Sequence, residues 1–133
     1  MAKTKFTELK KIFDTLHGPR GCLWDKKQTH KSILAHLNEE VEEFVSAVRA
    51  GDVHNMREEL GDVLLHVMFH SKLASKAGKF DVEDVISELI KKLKRRHPHV
   101  FGKEKVSSSR QIIRNWEKIK AQEKMAAKSG RRR

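Results

Sequence analysis

Glu40 and Glu43, followed by Glu59 and Asp62, are the residues of this 133-residue sequence whose types and spacing point most directly to chemistry. Each pair is spaced i, i+3, and at about 100° per residue such positions lie about 60° apart on one side of a helix. The first pair sits beside an apolar stripe of Leu37, Val41, Phe44 and Val48. The second sits beside Met56, Leu60, Val63 and Val67, with the same sense of offset. Two antiparallel helices packed through those stripes bring four carboxylates together. Carboxylates so placed repel one another and raise their pKa values unless a cation holds them. Hard oxygen ligands of this kind favour Mg²⁺ or Mn²⁺ over Ca²⁺, and an ion held this way keeps open positions that suit phosphate oxygens. The acids at 39–43 alone fit a solvated helix face. The second pair, at the matching offset, argues for a site. Glu39, Glu42 and Glu58 point further from the stripes, although Glu39 is near enough to be a candidate water-activating base. His36 and His66 fall on the same sectors and read as hydrogen-bonded partners rather than ligands.

Glycine and proline are scarce, so the elements that position these acids are helices. A first helix is expected over 4–17, carrying Phe6, Leu9, Ile12, Phe13 and Leu16 and stopped by Gly18-Pro19, followed by a loop over 18–27. The second should start near Thr29 or Ser32 and run to Ala50, with Ile33 at the head of its stripe and Gly51 after its end. The third starts from Asp52 or Asn55 and runs to about Lys76. So short a connection makes it the antiparallel neighbour of the second. A fourth spans Asp81 to Arg96 and ends at His97-Pro98. A loop over 97–106 leads to a cap among Ser107, Ser108 and Ser109 and a last helix containing Ile112, Ile113, Trp116 and Ile119. The expected fold is an all-α bundle of four to five helices. Residues 63–69 are apolar nearly all round, with Leu65 and Met68 opposite the stripe, which implies a central helix or a subunit interface and favours a homodimer.

Composition limits the remaining possibilities. With 38% hydrophobic and 35% charged residues, a chain this long makes one compact domain, read as 1–125, with a basic, disordered tail over 126–133. No apolar run approaches a membrane span or a leader, and the single Cys22 forms no internal disulfide, so a soluble, cytoplasmic protein is expected. The net charge of +11 is uneven. Residues 1–90 hold 13 Lys and Arg against 15 Asp and Glu, whereas residues 91–133 hold 16 against 3. Such asymmetry fits a polyanionic partner or a solvated basic tail.

The sequence Glu40-x-x-Glu43, then Glu59-x-x-Asp62 after fifteen residues, resembles the signature of the MazG-like nucleoside triphosphate pyrophosphohydrolases. So do Gly21-Cys22-Leu23-Trp24-Asp25, Arg57-Glu58-Glu59-Leu60-Gly61-Asp62-Val63-Leu64-Leu65 and Lys94-Arg95-Arg96-His97-Pro98-His99-Val100-Phe101, in the same order. The family loop commonly has Pro where this chain has Leu23. The resemblance implies an all-α fold, a dimer or dimer of dimers, and Mg²⁺-dependent hydrolysis of a (deoxy)nucleoside triphosphate to the monophosphate and pyrophosphate, with Mn²⁺ as a substitute ion. Carried over by position, Glu40, Glu43, Glu59 and Asp62 are the expected metal ligands; Glu40 and the neighbouring Glu39, the latter on its place beside the stripe, are the candidate catalytic carboxylates. Lys92, Arg95 and Arg96 are expected at the phosphates, and Trp116 and Lys120 at the nucleotide. Trp24 either lines the site or packs beneath it. Two alternatives stand beside this reading: a house-cleaning hydrolase restricted to particular modified or deoxy nucleotides, and a basic helical nucleic-acid-binding protein using residues 91–133.

Overall fold

The computed structural model describes residues 4–131, and side chains as far as residue 128. Residues 1–3 and 132–133 lie outside the described residues; they include the start of the segment read as leaderless and the end of the expected tail. Seven helices follow one another among the described residues: α1 (Lys5–Leu16), α2 (Leu23–Lys27), α3 (Leu34–Ala50), α4 (Val53–Lys76), α5 (Val82–Arg96), α6 (Pro98–Phe101) and α7 (Ser109–Arg131). The all-α class is as expected. The short helices α2 and α6 replace parts of the two expected loops, the second because Pro98, with no N–H to lose, sits in the first turn of α6. Helix α7 also continues past Met125, where disorder was expected. Ala126, Ala127 and Lys128 are strong helix formers, and no proline interrupts them. Among the described residues no helix is long and apolar enough to cross a membrane.

The chain divides into two compact units, residues 1–83 and 84–133. In the first, the Thr4 hydroxyl caps α1 by accepting from the Thr7 N–H at 3.1 Å. The chain then folds back so that the Cys22 N–H reaches the Leu16 carbonyl at 2.8 Å. A Cβ at Gly21 would stand 2.0 Å from that carbonyl oxygen, so only glycine allows the approach. Thr29 and Ser32 bond reciprocally, the Ser32 N–H to Thr29 Oγ1 at 3.0 Å and the Thr29 N–H to Ser32 Oγ at 2.8 Å. They close a turn ahead of α3 and leave Ile33 as its N-cap residue. At the other end of α3, Gly51 adopts a left-handed conformation (φ 67°) and the Asp52 N–H reaches back to the Ala47 carbonyl at 3.0 Å. Asp52 then caps α4, accepting from the Asn55 N–H at 3.1 Å, which decides between the two expected caps. Two residues thus separate α3 from α4, which lie side by side.

The core of this unit is Phe13, Ile33, Ala47, Met68, Phe69, Ala74 and Val82. Phe13 meets Phe69 edge-on at 6.4 Å, and the buried His17 ring lies 5.0 Å from Phe69. The expected stripes need correction. Val41 and Leu60 are 41% and 51% exposed, with Val48 and Val67 exposed like them, whereas Met68, placed on the far side of the helix by the sequence, is 3% exposed. The inward face of α3 is Ile33, Leu37, Glu40, Phe44 and Ala47, and the matching face of α4 includes Met56, Glu59, Asp62, Val63 and His66. Sequence periodicity finds the apolar sector. It does not tell which edge of a broad sector meets a neighbour.

In the second unit α5 continues, α6 makes a single turn, and α7 turns Ile112, Asn115, Ile119 and Glu123 away from solvent. Its start is organised by Ser108, whose Oγ accepts from the Gln111 N–H at 3.2 Å.

Candidate metal and nucleotide site

Because Glu40 and Glu59 lie in the α3–α4 seam rather than beside it, their carboxylates are carried partly out of water. Oxygens of Glu40, Glu43 and Glu59 lie within 4.8 Å of one another. Asp62 falls outside that mutual set, yet its charge acts on Glu40. Glu40 is pushed up to about 7, first by burial, then by its hydrogen bond to Glu59 and the charges of Asp62 and Glu43. Glu59 is also raised, again by burial first, while its hydrogen bond to Glu40 pulls the other way. One oxygen of each, Glu40 Oε2 and Glu59 Oε2, is shielded from solvent with no hydrogen-bond partner among the described residues. Buried carboxylate oxygens left in this way are costly unless something neutralises them. The donor set fits a hard divalent cation: all oxygens, several charges, and two oxygens lacking partners.

The seam opens to two hollows. One, of about 220 Å³, is walled by Trp24, Ile33, His36, Leu65, His66 and Phe69, with Glu40 and Asp62 at its polar side. Trp24 is carried there by α2 and meets the His36 ring edge-on at 5.9 Å. At 52% exposure it lines this hollow rather than packing beneath it. His66 is buried and its pKa is lowered, by burial first and then by His36, with Asp62 acting the other way. The other hollow, about 540 Å³, is lined by Glu39, Glu42, Glu43, Asp52, Asn55 and Glu59. Glu39 and Glu40, adjacent in sequence, therefore serve different hollows. Asp52 and Asn55, read from the sequence only as capping residues, also line the acidic one.

The basic and aromatic candidates are in the second unit. Lys92 is half-buried on α5. Arg96 Nη2 donates to Glu123 Oε1 at 2.7 Å, and Arg95 Nε to Glu123 Oε2 at 2.6 Å. Trp116, 37% exposed, has its ring 5.8 Å from His97, and Lys120 Nζ stands 4.0 Å from Glu117. Sequence reasoning passed over Glu123. Its signal was an acid four residues after Ile119, on the inward face of a helix in a strongly basic segment.

Fold and seam together define an all-α protein that gathers a cluster of partly shielded carboxylates between two antiparallel helices. Residues 28–101, more than half of the chain, match the MazG nucleotide pyrophosphohydrolase domain, and the chain belongs to that family. It is 50% identical over 126 residues to the nucleoside triphosphate pyrophosphohydrolase/pyrophosphatase MazG of Thermotoga maritima, covering 95% of this chain and 48% of that protein. It is 39% identical over 114 residues to the nucleoside triphosphate pyrophosphohydrolase of Escherichia coli K12, covering 85% of this chain and 43% of that protein. The chain thus spans about half the length, or less, of these relatives. A crystal structure of a mazG-related protein from Thermotoga maritima superposes with a TM-score of 0.69 at 30% identity, over 85% of this chain and 96% of that one.

Proposed function

We propose that this chain is a Mg²⁺-dependent nucleoside triphosphate pyrophosphohydrolase that converts a (d)NTP to the (d)NMP and pyrophosphate, with residues 1–125 acting as one functional domain in the cytoplasm. The observation that carries the reading is the Glu40–Glu43–Glu59 cluster, in which the half-buried Glu40 and Glu59 each keep an unpartnered oxygen. The names of the relatives and the family match support it.

Glu40, Glu43, Glu59 and Asp62 would hold Mg²⁺, with Mn²⁺ as a substitute. When bound, such an ion neutralises phosphate oxygens and makes a coordinated water more acidic. Glu39, in the acidic hollow beside Glu43 and Glu59, takes the proton of the attacking water. The water oxygen bonds to the α-phosphorus as the bridge to the β-phosphate breaks, and the electron pair leaves with pyrophosphate. Lys92, Arg95 and Arg96 stabilise charge on the departing phosphates. Trp24, whose hollow adjoins Glu40 and Asp62, and Trp116 with Lys120 serve the nucleoside; stacking on an indole tolerates different bases.

The working form is a homodimer. Val41, Val45 and Val48 on α3 and Leu60, Leu64 and Val67 on α4 are all exposed. On antiparallel helices their equal sense of offset from the seam puts them on one side of the pair, an apolar face suited to a second copy.

Pyrophosphate release from a panel of canonical and damaged nucleotides with Mg²⁺ tests the reading, repeated on Glu40→Ala and Asp62→Ala. Wild-type protein inert on every nucleotide, or full activity in both variants, defeats it. Activity confined to one or two modified or deoxy nucleotides selects the house-cleaning form of the same reaction. The concentration of 16 basic residues after residue 90 favours a second reading, nucleic-acid binding. That reading predicts metal-independent, strongly salt-sensitive binding.

A further inference from the structure

Glu123 stands between two adjacent arginines. Its Oε1 accepts from Arg96 Nη2 at 2.7 Å; its Oε2 accepts from Arg95 Nε at 2.6 Å and, more weakly, from Arg96 Nε at 3.4 Å. The Glu123 and Arg96 side chains are both sheltered, at 21% and 20% exposure. The grip on Arg96 is therefore side-on. It uses the Nε–H and one Nη2–H and leaves three of the five guanidinium N–H groups, two on Nη1 and one on Nη2, at the far end of the fork. One carboxylate also offsets one of two neighbouring positive charges, which lessens the mutual repulsion of the two arginines.

We propose that Glu123 is a positioning residue for the substrate's phosphate chain: it fixes Arg96 by one edge so that the free end of the guanidinium meets phosphate oxygens in a preset orientation. This rests on the reading of Arg96 as a phosphate-binding residue. A long side chain already held loses less freedom when the anion arrives, so the benefit falls on binding. The opposite role, a latch that must release Arg96 before phosphate can bind, makes the opposite prediction.

The test is steady-state hydrolysis of dATP, dCTP, dGTP and TTP with Mg²⁺, with inorganic pyrophosphate as competing anion. For Glu123→Gln, KM should rise roughly 3- to 10-fold, the scale of ordering one long side chain, with kcat within about twofold. The pyrophosphate inhibition constant should rise by the same factor. Glu123→Asp, which keeps the charge on a shorter arm, should fall between, and it supplies the comparison if the Gln variant unsettles α7. In an Arg96→Ala background, Glu123→Gln should add less than about twofold. An unchanged or lowered KM in Glu123→Gln, or an equal penalty in the Arg96→Ala background, overturns the proposal. If Arg96→Ala works like wild type, the phosphate role of Arg96 fails and the positioning role falls with it. If Arg96→Ala is impaired while Glu123→Gln is not, the positioning role alone fails.

Discussion

Glu40 and Glu59 bring carboxylate oxygens within 4.8 Å of each other across the seam between α3 and α4, and each keeps one carboxylate oxygen out of solvent with no partner among the described residues. Burial and the neighbouring charges favour the protonated form of both acids when no cation is present, and a bound cation favours the ionised form.

Replacing either acid by its amide should therefore separate stability from function. Glu40→Gln and Glu59→Gln remove mutual repulsion, so the metal-free protein should melt no lower than wild type. Mg²⁺ affinity and hydrolysis should fall by at least the roughly 10- to 100-fold that follows loss of a group supporting a metal. Calorimetric Mg²⁺ titration beside thermal melts checks this. A variant that binds Mg²⁺ as wild type does removes that residue from the ligand set.

The pH dependence follows from the signs of the shifts. Glu40, raised to about 7, binds its proton more tightly in the folded state than in the unfolded one. Without metal, its contribution favours folding most below about 4.5 and is lost as pH rises towards 7. Glu123 is held down at about 2 by its bonds to Arg96 and Arg95. Its contribution is present above about 4.5 and disappears as pH falls towards 2. Melting temperature against pH, with EDTA, should thus show a loss above pH 4.5 that Glu40→Gln reduces and a loss below it that Glu123→Gln reduces. Added Mg²⁺ should stabilise more as pH rises, because ligation requires the ionised acids.

Trp24 and Trp116 are the two tryptophans of the chain, so each can report alone. In Trp24→Phe and Trp116→Phe, nucleotide binding should quench whichever indole remains if it stacks on the base, and Ala at the stacking position should weaken binding by about 1–3 kcal/mol. Both rings are substantially exposed, so neither Ala variant should cost much stability. An indole whose emission ignores saturating nucleotide does not contact it.

Leu60→Glu and Val45→Asp place charges on the exposed apolar side of α4 and α3. A folded single chain should tolerate both changes within about 0.5 kcal/mol, while a dimer built on that face should dissociate. Sedimentation and circular dichroism at matched concentrations distinguish the outcomes. Wild-type protein that sediments as a single chain excludes the interface.

Much of the fold was legible because it is written locally. Thr4, Gly51 and Asp52 act at the helix ends where their side chains, or the lack of one, are needed, and the short Gly51-Asp52 connection makes α3 and α4 neighbours without reference to anything distant. The i, i+3 spacing of the acids fixed their common side of each helix in the same way. The rotation of each helix was not local. The apolar sectors of α3 and α4 are broad enough to bury either edge, and only packing of α4 with α1 and α3 turned Met68 and Phe69 inward and left Val41 and Leu60 on the outer face of the unit. That rotation moved Glu40 and Glu59 from the rim of the core into the seam, where desolvation raises their pKa values.

The sequence by itself determined that this is an all-α chain with four acids in two spaced pairs, because helix periodicity and end signals depend on neighbours a few residues away; its likeness to the MazG family rested on short motifs read residue by residue. Only the tertiary structure decided that Glu40 opens to the aromatic hollow while Glu39 opens to the acidic one, that Trp24 lines a wall, and that Glu123 grips Arg95 and Arg96. Those relations join residues on different helices. They are set by which surfaces exclude water together, a property that no single stretch of sequence carries.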